Sequence, residues 1–162
     1  MDARVAPSHR PLSPGDDEFL FRVYASTRAA EMQAWGWPLE QQESFLRMQF
    51  RARRLSYGAA YPDASHSILL CDGLPAGSAI VWRSPAEIRL VDIALLPEYQ
   101  NRGLGAQWLQ WLIQEAAGTG AALRLSVLQG NRAIRLYQRL GFVPAPPGGM
   151  YIEMEHKRDG AE

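Results

Sequence analysis

The sequence is organised around Leu90-Val-Asp-Ile-Ala-Leu-Leu-Pro-Glu-Tyr-Gln-Asn-Arg-Gly-Leu-Gly105. Its first half is rich in Val, Ile and Leu, a pattern that predicts a buried strand. Pro97 ends that strand, because proline has no N–H for a ladder and restricts the residue before it. Beyond a glycine-punctuated loop, apolar residues recur at every fourth position, which predicts one face of a helix; they are Leu104, Trp108, Leu112 and Ala116.

This order of strand, glycine loop and helix predicts a phosphate site. The first turn of a helix has N–H groups without partners, and the helix dipole adds partial positive charge there. Glycines let such a backbone approach an anion closely. A Walker loop is excluded because Ala106 and Gln107 follow Gly105 where Lys and Ser/Thr are required. A Rossmann loop is disfavoured because Trp108 stands at the position of its third glycine.

The pattern Gln-x-x-Gly-x-Gly at residues 100–105 resembles the acetyl-CoA loop of the GNAT superfamily of N-acetyltransferases. A second signature of that superfamily follows about 26 residues later: an Asn that begins a helix, and a Tyr near its end before Gly-Phe. Here these are Asn131, Tyr137, Gly141 and Phe142. The resemblance covers residues 66–157 closely and the N-terminal third more loosely.

Composition is that of an ordinary globular protein, with 47% hydrophobic and 21% charged residues in a chain of 162. Lys+Arg and Asp+Glu are equal at 17 each, so overall charge gives no reason to expect nucleic acid or a membrane as partner. The lone Cys71 excludes an internal disulfide. With no signal region and no apolar run of membrane-spanning length, we expect a single domain over residues 1–162 in the cytoplasm.

Along the chain the pattern predicts the order β-α-α-β-β-β-α-β-α-β-β. This is an α/β (α+β) fold with a mixed, mostly antiparallel sheet and helices on both faces. The two strands joined by the phosphate helix must be parallel. The resemblance implies that these two central strands splay apart and that the pantetheine arm of CoA lies in the gap. It also implies that family members are often dimers, so a homodimer is possible.

The resemblance assigns the cofactor to the central strand, the glycine loop and the asparagine that begins the later helix. Backbone groups of the central strand would pair with pantetheine, and one N–H would polarise the thioester carbonyl. The loop would hold the pyrophosphate, and the Asn would cap its helix or bond pantetheine. We expect acetyl-CoA as co-substrate, no metal, and these cofactor-binding residues: Ile93, Ala94, Leu95, Gln100, Asn101, Arg102, Gly103, Leu104, Gly105, Ala106 and Asn131.

Catalysis requires an acid for the leaving thiolate and a base for the amine. Tyr137 matches the family's Tyr, and its phenol is expected to protonate the thiolate. Some family members have a Glu as base in the strand before the Asn, where this sequence has Ser126. The remaining candidates are Asp92, Glu87 or a water relay. Without a bulge, Glu87 and Asp92 would face opposite sides of their strand.

The resemblance places the acetyl acceptor beside the connection between the first two helices. The predicted substrate-binding residues there are Glu31, Trp35, Trp37 and Tyr57. An alternative for the two tryptophans is packing against the sheet edge. The function expected is N-acetyl transfer to a small-molecule, amino-acid or peptide amine. The alternative is a non-catalytic acyl-CoA-binding or sensing module with the same fold.

Overall fold

The computed structural model describes residues 7–146 and 148–157. The strands are β1 (His9–Pro11), β2 (Ser65–Cys71), β3 (Leu74–Arg83), β4 (Glu87–Leu95), β5 (Ala122–Leu128), β6 (Phe142–Pro144) and β7 (Tyr151–His156). The helices are α1 (Asp17–Thr27), α2 (Ala29–Trp35), α3 (Leu39–Ala60), α4 (Leu104–Thr119) and α5 (Ala133–Arg139). All seven strands form one sheet in the order β1-β2-β3-β4-β5-β7-β6.

The direction of the strands confirms the predicted mixed sheet. Strands β1 to β4 pair antiparallel with one another, as do β5 with β7 and β6 with β7. Strands β4 and β5 are parallel, because α4 returns the chain to the same end of the sheet. The predicted parallel pair therefore lies at the centre of a mostly antiparallel sheet.

Two layers of helices cover the two faces of this sheet. The face under α4 and α5 carries the larger core, which includes the fully buried Leu109, Leu112, Leu123 and Met154. Helices α1, α2 and α3 form a separate apolar cluster above the other face. Within residues 7–146 and 148–157, no helix is both long and apolar enough to cross a bilayer.

The first helical segment is divided into α1 and α2. The break is at Arg28, whose φ of −109° and ψ of 1° leave the helical region. The hydroxyls of Ser26 and Thr27 donate to the carbonyls of Val23 and Tyr24. Such local side-chain bonds compete with the helical ladder and favour a helix end at this point.

A bulge in β4 corrects the expected alternation along that strand. Leu90 pairs with Val81 and Asp92 pairs with Ile80, so Val91 is an extra residue. Arg89 pairs with Trp82, two residues from Ile80, and Asp92 therefore faces the same side as Arg89. An unbulged strand would place Glu87 and Asp92 on opposite faces, whereas the bulge turns Asp92 toward the layer of α1 and α3, on the face of Glu87.

Candidate active site

The site begins where β4 and β5 part. The two strands pair over four residues only, from Glu87 opposite Ala122 to Leu90 opposite Leu125. The Val91 bulge follows immediately and directs the rest of β4 away from β5. A cavity of about 330 Å³ occupies the opening and runs from the sheet toward α1 and α3. This is the splayed geometry that the resemblance implies.

Strand β3 remains close to β4 beyond the bulge, so the opening lies on the β5 side alone. Gly77 makes this close approach possible, because a Cβ at that position would lie 2.2 Å from the carbonyl oxygen of Ala94. Strand β4 thus keeps one paired edge and presents its other edge to the cavity. Ile93 and Ala94 line that cavity. Unpaired edge groups of this kind can bond an added extended chain.

The loop after β4 has free amide hydrogens at the same end of the sheet. Gly103 has a φ of 82° and Asn101 a φ of 60°, left-handed values that turn the backbone sharply into α4. Within the described chain, the N–H groups of residues 101–106 have no hydrogen-bond acceptor, and the first helical bond runs from the N–H of Gln107 to Gly103. The Gln100 side chain donates to the carbonyl of Leu95 at 3.0 Å and fixes the loop to the strand end. Among the predicted cofactor residues, Arg102 stacks on Tyr99.

Asn131 and Tyr137 meet the cavity from the α5 side. The Asn131 Oδ1 accepts the N–H of Ala133 at 2.9 Å, which is a cap for the first turn of α5. Tyr137 is 7% exposed and packs on Phe142. Burial, together with the negative charge of Asp92, raises the pKa of Tyr137 to about 12. Its hydroxyl is therefore protonated throughout the physiological range and can act as a donor.

Of the two carboxylates predicted as candidate bases, Asp92 is the one that lines the cavity. Its Oδ1 accepts a hydrogen bond from Nη2 of Arg53 at 2.7 Å. The carboxylate is 25% exposed, and it lines the cavity wall. Burial raises the pKa of Asp92, and the charge and hydrogen bond of Arg53 offset part of that rise. A carboxylate with a raised pKa is a stronger base than one in water.

Glu87 does not line the cavity. It stands at the start of β4, where its carboxylate accepts a hydrogen bond from Arg89 at 3.0 Å and lies 3.6 Å from Arg124. Arg89 also contacts Glu153 on β7. Glu87 thus belongs to a cross-strand network of ion pairs, on the face of Asp92 but away from the opening between the strands.

The predicted acceptor residues divide into two groups. Glu31 and Tyr57 line the cavity, and Glu31 pairs there with Arg28. Trp35 and Trp37 are not among its lining residues. They stack on each other and on Phe45, and their exposed fractions are 45% and 41%. The Trp35-Gly36-Trp37-Pro38 turn therefore forms an aromatic cluster at the end of the helical layer, and not a wall of the opening.

The chain also matches a known protein family over the segments that form this site. The sequence model of the Acetyltransferase (GNAT) family matches residues 24–142, which is most of the chain and includes both signature segments. The chain belongs to the GNAT family. In this GNAT protein the matched residues include β4, the amide-rich loop and Tyr137.

Several known proteins are similar to this GNAT protein. The [Ribosomal protein bS18]-alanine N-acetyltransferase of Escherichia coli is 38% identical over 92 residues, which are 56% of this chain and 62% of that enzyme. The match thus spans about three fifths of the relative's length. The PaiA N-acetyltransferase of Thermoplasma acidophilum, solved in complex with coenzyme A, has the same fold with a TM-score of 0.68 and 22% identity, covering 95% of this chain and 100% of that one. Ard1 from Thermoplasma volcanium gives a TM-score of 0.59 at 19% identity, with coverages of 95% and 100%.

Sequence reasoning did not find the arginines of the cavity. Arg28, Arg53 and Arg54 all line it from the helical layer. Arg53 lies close to two aromatic rings, with its Cζ 5.6 Å from the centre of Tyr24 and 5.2 Å from that of Tyr57. Arg53 and Tyr57 are one helical turn apart, a spacing that indicates a shared face, but the long α3 carries several such pairs. The partner of Arg53 is 39 residues away in sequence.

Proposed function

We propose that this GNAT protein is an acetyl-CoA-dependent N-acetyltransferase that moves an acetyl group to the primary amine of a small molecule or an amino acid. One arrangement carries the proposal: the parted edge of β4, Asp92 and Tyr137 border one opening between β4 and β5, and the unbonded amides of residues 101–106 lie in the loop that follows the end of β4. Family membership and the fold that the chain shares with the CoA complex of PaiA support it.

The cofactor would be held by backbone. The N–H groups of residues 101–106 would bind the pyrophosphate, with the partial positive charge of α4 behind them. Each N–H bonded to a charged oxygen contributes about 1.5–3 kcal/mol. The pantetheine arm would lie along Ile93 and Ala94 like an added strand, and an N–H of this edge would polarise the thioester carbonyl. The Asn131 amide, which lines the same cavity, would bond the arm.

Acetyl transfer would then require that the acceptor ammonium lose a proton and that the leaving thiolate gain one. An alkylammonium with a pKa near 10.4 must lose a proton, which costs about 4–5 kcal/mol at pH 7 without help. Asp92 is proposed as the base, either directly or through a water. The neutral amine attacks the thioester carbonyl, the C–S bond breaks, and the Tyr137 hydroxyl donates to the thiolate as it forms.

A matched pair of glycine substitutions tests the cofactor site. A methyl group at residue 105 would meet only Leu136 Cδ2 at 3.8 Å, an ordinary contact, so Gly105→Ala is expected to fold normally. The methyl group would nevertheless stand on the first turn of α4, where a phosphate must approach the backbone. We expect acetyl-CoA to bind Gly105→Ala at least about tenfold more weakly in calorimetry, which is a loss of about 1.4 kcal/mol.

The control is Gly118→Ala at the other end of the same helix, where an added Cβ meets no atom within 4 Å. This variant is expected to gain helix propensity and to keep the affinity of the wild-type protein. Equal acetyl-CoA affinities for all three proteins would contradict the assignment of the loop. Release of the CoA thiol in the presence of a panel of amines then separates the enzyme from a binding module, because a sensor would bind acetyl-CoA and release none.

A further inference from the structure

Arg53 of α3 and Asp92 of β4 form an ion pair in the lining of the cavity. A single contact of 2.7 Å joins Nη2 to Oδ1, so the pair is not the two-bond fork that arginine and a carboxylate can form. Arginine has five N–H donors, and Arg53 uses the others only in part, through Tyr57. Both charges of the pair therefore keep bonding capacity toward a ligand in the cavity.

This pairing limits which amines Asp92 can serve, if it is the base of the proposed acetyl transfer. At neutral pH the acceptor amine is protonated, so it must transfer a proton to Asp92 before it can react. The Asp92 carboxylate already accepts a hydrogen bond from Arg53. Displacing Arg53 with a simple ammonium would leave a guanidinium of 38% exposure without its counter-ion. Leaving one member of a partly buried pair unpaired is unfavourable. An acceptor with its own anionic group would remove this penalty.

The other arginines of the cavity are already held by carboxylates. Arg28 pairs with Glu31, and Arg54 pairs with Asp17 of α1 at 2.9 Å. Burial and the charge of Arg54 lower the pKa of His66, so this histidine adds no charge at neutral pH. A negative group on the acceptor would therefore find its partner in Arg53, which keeps unused donors.

We propose that the acceptor is a small zwitterion of the amino-acid class, whose carboxylate pairs with Arg53 while its ammonium pairs with Asp92. This inference rests on the acetyltransferase function proposed above and names its substrate class. The exchange replaces one ion pair with two. Arg53 is then a specificity-determining residue, and binding of the correct acceptor frees the base.

The proton and electron balance of the reaction is complete with these groups. The ammonium gives one proton to the Asp92 carboxylate, and its nitrogen lone pair forms the new bond to the acetyl carbon. The C–S bond breaks with its electron pair on sulfur. The Tyr137 hydroxyl donates to the sulfur as it leaves, and the second nitrogen proton, lost as the amide forms, ends on that sulfur directly or by restoring the Tyr137 hydroxyl. Asp92 releases the first proton to solvent, so the products are the N-acetyl amino acid, CoA thiol and one proton in solution.

The N-terminus of a protein is a different acceptor class. There the amine is followed by a neutral peptide group at the position where a free amino acid has its carboxylate. Such an acceptor would leave Arg53 unpaired. The Escherichia coli relative is named for the alanine of a ribosomal protein, so a peptide that begins with alanine is a necessary arm of the test.

The experiment compares kcat/KM, measured by CoA thiol release, for matched acceptors. Free amino acids are assayed beside their carboxamides, their decarboxylated amines and short peptides with the same first residue. Loss of a charge partner in a hydrogen-bonded pair that is only partly buried corresponds to about tenfold, and we expect the acid to exceed its carboxamide by at least that factor. In Arg53→Gln the acid-to-amide ratio should fall to near one, and in Arg53→Lys it should be intermediate.

Arg51→Gln is the control, because Arg51 is an exposed arginine of the same helix and does not line the cavity. It should keep the wild-type ratio. A ratio of rates within one protein does not report on folding, so a merely structural role for Arg53 would leave it unchanged. Peptides or carboxamides used as well as free acids would overturn the inference and leave acetyl transfer standing. Acetyl-CoA binding with no amine consumed would overturn the proposed function itself.

Discussion

Removal of the Tyr137 hydroxyl is the perturbation that most directly tests the proposed chemistry. In Tyr137→Phe the ring can keep its packing on Phe142, and only the oxygen that borders the cavity is lost. The variant is therefore expected to fold and to bind acetyl-CoA like the wild-type protein. What it lacks is a hydrogen-bond donor for the leaving sulfur.

The size of the effect follows from the pKa of this phenol, which burial and Asp92 raise to about 12. A thiol has a pKa of about 8.5, so complete proton transfer from Tyr137 to a free thiolate would be uphill by about 3.5 pKa units, or roughly 5 kcal/mol. The hydroxyl is therefore expected to stabilise the developing charge by donation and not by early transfer. One donor of this kind accounts for about 10²–10³ in kcat, and we expect a loss in that range.

The assay is CoA thiol release at saturating acetyl-CoA, together with calorimetric affinity for acetyl-CoA. Tyr61→Phe is the control, because that tyrosine packs against Trp82 and lines a second, smaller cavity of about 250 Å³ and not the cavity that Tyr137 borders. Wild-type kcat in Tyr137→Phe would refute the assignment. So would an alkaline limb near pH 9–10 that disappears in the variant, because a pKa near 12 keeps the phenol protonated at those pH values.

Two further predictions concern stability. Leu109 is completely buried in the core between the sheet and α4, so Leu109→Ala is expected to lose about 2–5 kcal/mol of unfolding free energy in denaturant titrations, and a loss below 1 kcal/mol would contradict the packing. Asp16 accepts two hydrogen bonds from Arg10 and one from the N–H of Ser13, which lower its pKa in the folded state. Because that pKa is lowered, the stabilisation is present above the unfolded pKa near 3.9 and is lost as pH falls. Asp16→Asn should therefore lower Tm at pH 7 and differ progressively less from the wild-type protein below about pH 4.

The sequence predicts the cofactor half of the site because glycine, proline and helical spacing constrain the backbone locally. Gly103 occupies a left-handed position that only glycine adopts without strain, and Pro97 ends the strand before it. The Asn131 and Tyr137 positions follow from a short segment whose helix begins near the asparagine. Each of these features depends on residues within about ten positions of one another.

The acceptor half depends on long-range placement, and the sequence predicts it less well. Nothing in the β-branched Val91 distinguishes a bulged position from an ordinary strand residue, so the direction of Asp92 could not be read from alternation. The pairing of Asp92 with Arg53 joins a strand to a helix far away in the chain. Trp35 and Trp37 lie on the predicted side of the fold, but Phe45 supplies a nearer apolar surface for them.

The extra residue at Val91 has a consequence for how the proposed acceptor specificity of this protein can change. A single backbone irregularity both opens the gap proposed to hold the thioester and turns position 92 toward the three-helix layer. Insertion or loss of one residue there would alter cofactor access and proton removal together, so the two cannot be tuned separately at that point. Substitutions on α1 and α3 are under no such constraint, and new acceptors can be accommodated by exchanging side chains on those helices alone.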